Sequence, residues 1–151
     1  MDSEANSKAQ TVVRKRTSGV PTGNAGEYFV MGELLRRGYD AQLADRNTKG
    51  YDLLVGFSKD PTLRKAQVKT VRNPPWYVSL VGFEGEMMER ETIYVLLGPV
   101  KTAKPVRYFI TKNADIYENI HFPKTWDKVG FVNLKMVEPY EGRWDLLFGS
   151  K

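Results

Sequence analysis

The residues most able to do chemistry lie in and around Lys65-Ala66-Gln67-Val68-Lys69-Thr70-Val71. This stretch reads as a β-strand with polar side chains where a buried strand should be apolar. Residues two apart on a strand share a face, so Gln67 and Lys69 lie together, opposite Ala66, Val68 and Thr70. Asp52 is a second anomaly, set in Tyr51-Asp52-Leu53-Leu54-Val55, and Glu27 is a third, on a helix that is otherwise apolar on that side. Carboxylates, an amide oxygen and an ammonium are the groups that phosphodiester hydrolysis calls for. The phosphate anion repels an attacking hydroxide, and the departing alkoxide is a poor leaving group. A divalent cation relieves both difficulties. Hard cations take oxygen ligands, here the Asp52 carboxylate, the Gln67 side-chain oxygen and a strand carbonyl such as that of Val68. Glu27 would hold a coordinated water or a second cation. Lys69 would stabilise the nucleophile and the added charge of the transition state.

Each residue also has a plainer reading. Asp52 could be solvated at a strand edge beside the Lys49-Gly50 turn. Lys65, Gln67 and Lys69 could be the wet side of an edge strand. Glu27 could serve a capping box that begins at Asn24. A hairpin between the two strands favours the functional reading, because it brings Asp52 beside Gln67 and Lys69 on one face.

Composition narrows the metal chemistry. The 151 residues carry no cysteine and one histidine, His121, so thiolate sites and multi-histidine zinc sites within one chain are excluded. Mg²⁺ or Mn²⁺ fits the oxygen donors that remain. The absence of cysteine suggests a reducing, cytoplasmic (intracellular) setting. A formal charge of +5 favours a polyanionic partner such as DNA. No apolar run is long enough to cross a bilayer, and no membrane is expected as partner. With 41% hydrophobic residues the chain can build one core, so a single domain is expected over 24–151. Residues 1–23 read as a disordered basic tail.

The positioning elements follow from periodicity. A helix is expected over Ala25–Arg37, with Val30, Met31, Leu34 and Leu35 as its apolar stripe, Glu27 near the middle of that stripe, and Gly38 as its end. Strands are expected over Tyr39–Ala44, Tyr51–Phe57 and Leu63–Val71, the last two forming the hairpin. Trp76–Val81 is expected to extend the sheet, and Gly82–Arg90 to be a loop. Thr92–Leu97 reads as a strand buried on both faces. Val106–Thr111 follows as a strand, then a short helix over Lys112–Asn119 and a strand over Phe131–Val137. A closing helical turn places Trp144 and Leu147 inward. The implied class is α/β, a mixed central sheet with helical cover.

These local signatures, in this order, resemble the PD-(D/E)xK nuclease superfamily. Gly26-Glu27 opens a helix ending Leu34-Leu35-Arg36-Arg37-Gly38-Tyr39, Gly50-Tyr51-Asp52-Leu53-Leu54-Val55 supplies the acidic strand, and Gln67-Val68-Lys69 stands where the family has (D/E)xK. The helix pattern and the chain's size are most similar to Holliday-junction resolvases and small homing endonucleases. The resemblance implies a restriction-endonuclease-like α-β-β-β-α-β core and Mg²⁺-dependent cleavage of DNA. Gln67 departs from the usual acid and removes a negative charge. Tyr51 stands where the superfamily's proline precedes the aspartate.

The leading function is therefore a metal-dependent endonuclease on DNA, with Lys49, Arg64, Lys65 and Arg72 as phosphate contacts. Cutting both strands calls for two sites, hence a homodimer or homotetramer. One alternative is a catalytically impaired nucleic-acid-binding or accessory protein of the same fold. Another is a protein-interaction module that uses Glu84, Glu86, Glu89, Glu91 and Met87-Met88.

Overall fold

The structure is a computed structural model that describes residues 19–45, 50–57 and 60–147. Helix α1 spans Gly19–Arg36, so residues 19–23, expected in the tail, are helical. The remainder of that tail lies outside the described residues. Pro21 falls in the first turn, where no intrahelical amide bond is required of it. Asn24 is then inside the helix rather than at its cap, and the capping-box reading of Glu27 does not hold. Gly38, at φ 89°, ends the helical region.

Strands β1 (Tyr39–Leu43), β2 (Leu53–Phe57), β3 (Asp60–Val71), β5 (Glu91–Leu96) and β6 (Arg107–Lys112) form one sheet, in the order β1-β2-β3-β5-β6. The β3–β5 pair is parallel and the others antiparallel, which makes the sheet mixed. The expected β2–β3 hairpin is present, with Leu53 opposite Ala66 and Leu54 opposite Lys65. Strand β3 starts at Asp60, earlier than expected.

Helix α1 lies on one face of the sheet. Val30 and Leu34 pack there with Leu53, Val55, Ala66 and Ile93, closed at one end by Trp144 and Leu147. The expected stripe holds at Val30, Leu34 and the partly buried Met31 but not at Leu35, which is 49% exposed. Close approach of α1 to β3 depends on Gly26. A Cβ at this position would come within 1.7 Å of Thr70 Oγ1.

The other face is covered differently. Strand β4 (Trp76–Ser79) does not extend the main sheet. It pairs with β7 (Val129–Val132) in a separate two-stranded sheet. The expected strand over Phe131–Val137 stops at Val132, and Leu134–Val137 is a helical turn, α3. A short helix α2 (Asn113–Tyr117) stands where expected. Between β4 and β5 the expected loop is two 3-10 turns, Leu80–Phe83 and Gly85–Glu89. The crossover joining parallel β3 and β5 is thus β4 plus these turns, in place of a regular helix. Trp76, Val78, Phe83, Tyr94, Phe109 and Ile116 form the core on this side. Strand β5 serves both faces, with Ile93 and Val95 turned to α1 and Tyr94 turned away, as its continuous apolar run implies.

Candidate functional site

Strand β2 begins at Leu53, one residue after Asp52, so Asp52 sits at the mouth of the hairpin and not within a strand. Its backbone N–H donates to the Ala66 carbonyl at 2.9 Å. Its carboxylate accepts the Val68 N–H, also at 2.9 Å. The side chain thereby takes over an amide of β3 that β2 is too short to pair. Backbone groups of successive strand residues turn to opposite edges, and the N–H and C=O of one residue turn the same way. Ala66 and Val68 face Asp52, whereas the Val71 carbonyl accepts from Leu97 N–H on the β5 side. The Val68 carbonyl therefore faces the same edge as the Asp52 carboxylate.

Gln67 and Lys69 flank Val68 with their side chains on the face opposite α1. They pair in register with Thr92 and Tyr94 of β5. Both line a cleft of about 430 Å³ walled by the 3-10 turns and Arg90. Glu27, from α1, lines a second cleft of about 380 Å³ together with Asp52, Tyr51 and Asn24. The four candidates are thus distributed over two clefts, Glu27 with Asp52 and Gln67 with Lys69. The Asp52–Val68 bond lies at the seam between them.

Among the described residues no group of three or more His, Cys, Asp and Glu stands together. Asp52 and Glu27 are acids of one cleft, and the neutral Gln67 lines the other. The donors around the seam are nonetheless all oxygen, and a carboxylate that accepts one amide bond keeps lone pairs on its other oxygen. That set fits a hard divalent cation.

The expected phosphate-contact residues have defined surroundings. Arg64 pairs with the buried Glu91 at 2.9 Å, on the α1 side of the sheet. Burial pushes the Glu91 carboxyl above its usual value, and Arg64 counteracts part of that rise. The Lys65 ammonium lies 5.0 Å from the centre of the Tyr51 ring. Arg72 donates to the Gly98 carbonyl at 3.5 Å. Lys49 lies outside the described residues.

Sequence reasoning missed Arg90 and Asn113. Asn113 is 1% exposed. Its amide group donates to the Met87 carbonyl at 2.8 Å and the Gly82 carbonyl at 3.4 Å, and its oxygen accepts from the Thr92 hydroxyl at 2.7 Å. It ties the 3-10 turns over the cleft to β5. The Arg90 guanidinium donates to the Gly50 carbonyl and lies 5.5 Å from the centre of the Tyr51 ring. No local pattern marks either residue, because their partners are distant in sequence.

No helix among the described residues is long and apolar enough to cross a membrane. No protein-family model matches the chain, nor does any curated protein. Among solved structures it is similar to Hjc of Archaeoglobus fulgidus, a Holliday junction resolvase from an archaeal hyperthermophile. The match has 16% identity and a TM-score of 0.53, and covers 85% of this chain and 98% of that one. At that identity the likeness speaks for architecture, and with the mixed sheet described above it shows that the chain has the restriction-endonuclease-like fold.

Proposed function

We propose that this protein is an endonuclease that hydrolyses phosphodiester bonds in DNA with Mg²⁺ or Mn²⁺. The observation that carries the reading is the Asp52 carboxylate bonded to the Val68 amide. The bond holds an anion beside the strand segment that bears Gln67 and Lys69, in a fold shared with a DNA junction resolvase.

In this reading Asp52, the Gln67 side-chain oxygen and the Val68 carbonyl hold the cation, with Glu27 reaching the same edge from α1. When bound, such a cation acidifies water and polarises the scissile phosphate. Lys69 places a positive charge where the phosphorane-like transition state gains negative charge, and pairing with Tyr94 of β5 fixes its side of the strand. The Val68 amide keeps the Asp52 carboxylate oriented before substrate arrives, so less reorganisation is needed during reaction. Lys65 and Lys49 supply phosphate contacts that draw the backbone in, and binding should weaken steeply with salt. Arg64 contributes to the same basic edge while bridging to Glu91. Arg72 extends that edge at the far end of β3. A dimer or tetramer would present two such sites to a duplex or a junction.

The test is cleavage of supercoiled plasmid, four-way junctions and single strands in Mg²⁺ or Mn²⁺. Wild type should cut, and Asp52→Ala or Lys69→Ala should lose about 100-fold or more. Gln67→Glu should tighten cation binding measured by calorimetry, since a carboxylate replaces a neutral amide. DNA binding without cleavage under all these conditions would leave a binding protein of the same fold and overturn the enzymatic reading.

A further inference from the structure

Resting on that reading, we infer that Arg90 is a positioning residue that sets the Asp52 carboxylate through the Gly50-Tyr51 segment. Arg90 is far from Asp52 in sequence and closes the second 3-10 turn just before β5. Its side chain is only 12% exposed, although it carries a full charge. Burying a guanidinium is costly unless its donors and its charge are met. They are met by the peptide that leads into Asp52. The guanidinium donates to the Gly50 carbonyl and lies 5.5 Å from the Tyr51 ring centre. The Lys65 ammonium lies 5.0 Å from the same ring. Tyr51 is therefore held by two cations, one from β3 and one from the crossover.

Gly50 shows how close this packing is. Its φ is 91°, and a Cβ there would come within 2.7 Å of the Arg90 guanidinium. The next residue but one is Asp52, whose amide and carboxylate both bond to β3. With Tyr51 and Gly50 held, the Asp52 backbone has little freedom to turn its carboxylate away from Val68. The far end of the clamp is anchored too. The Arg90 carbonyl accepts from the Asn113 N–H at 2.8 Å, and the Asn113 side chain holds the 3-10 turns. The ion pair between Arg90 and Glu86 adds little, because the Glu86 side chain is 85% exposed. In this scheme the crossover that covers the Gln67–Lys69 cleft also aligns the carboxylate at the neighbouring edge of β3.

The test uses Arg90→Met, which keeps side-chain length but removes charge and donors, and Arg90→Lys, which returns a cation and a donor. Amide hydrogen exchange by NMR follows Val68, whose N–H reports the Asp52 carboxylate directly. In Arg90→Met, Val68 should exchange at least about tenfold faster while Ile93 and Val95 stay protected, and Arg90→Lys should recover part of the difference. In the cleavage assay Arg90→Met should lower kcat up to about 100-fold with KM for DNA little changed, as expected for a misplaced catalytic group. Glu86→Gln should change neither readout. Unchanged Val68 exchange in folded Arg90→Met overturns the inference, even if wild type cuts DNA. Should Arg90→Met not fold, Arg90→Gln takes its place, and unchanged Val68 exchange there overturns the inference instead. Should wild type fail to cut DNA, the nuclease reading falls, while the exchange measurement still decides whether Arg90 governs Asp52.

Discussion

The two faces of the central sheet are built by opposite means. On one, a single long helix lies against aliphatic side chains, and contact is close because Gly26 presents no side chain to Thr70. On the other, a two-stranded sheet and short helical turns gather around aromatic rings, with Trp76 edge-on to Tyr94 and Phe109 at 5.5 and 5.9 Å between ring centres. The first face depends on closeness and the second on bulk. Strand β5 belongs to both, and the candidate site lies where the two coverings meet.

The largest effect should come from removing bulk. Trp76 is 1% exposed and its indole N–H donates to the Val95 carbonyl at 3.2 Å. Trp76→Ala should lower stability by about 4 kcal/mol in urea unfolding, through cavity formation and loss of that hydrogen bond. Because β5 joins the faces, unfolding should stay a single transition. A biphasic curve, with the two-stranded sheet lost first, would show the faces to be separate units and break the comparison.

Adding bulk on the helical face should come next. Gly26→Ala forces α1 away from β3 and should cost about 3 kcal/mol. Replacing Thr70 by Ala in the same chain should recover part of that loss, since the nearest clash is with its hydroxyl. An unchanged midpoint in Gly26→Ala would mean that helix and strand are not tightly apposed.

The smallest effect is electrostatic and lies on the α1 side. Burial holds the Glu91 carboxyl above its ordinary 4.5, although Arg64 opposes the shift. The unfolded chain therefore releases this proton first as pH rises. Stability from Glu91 is fully present below 4.5 and is lost as pH climbs through the folded value. Wild type should lose stability relative to Glu91→Gln as pH rises above 4.5. The opposite slope would mean that the Arg64 contact outweighs burial.

This contrast also explains what could be read from the sequence. The alternation Ala66, Gln67, Val68, Lys69 placed its two side-chain sets on the correct faces, and the run beginning at Thr92 marked a strand covered on both sides. Val30 and Leu34 were identifiable from helical spacing, but adjacent Leu35 was not separable from them, because the stripe's edge depends on how far β1 and β2 reach under the helix. The start of α1 was hidden by Gly19, Pro21 and Gly23, poor helix formers that the fold tolerates. On the aromatic face little was legible. Pairing of β4 with β7 joins segments far apart in the chain, and Arg90 and Asn113 act through partners equally remote. The approach of Asp52 to β3 was expected from the hairpin. Its place just outside β2 was not, since the end of a strand is decided by which partner amides remain to be met.

The alternation along β3 has a consequence for how such a chain can change. Inserting or deleting one residue ahead of Ala66 would turn Gln67 and Lys69 into the packed aliphatic layer and bring Val68 out into their cleft. Replacement of individual side chains can adjust this strand by degrees, whereas a change in its length reverses every position at once. Variation in length is therefore expected in the flanking turns, and variation in chemistry within the strand.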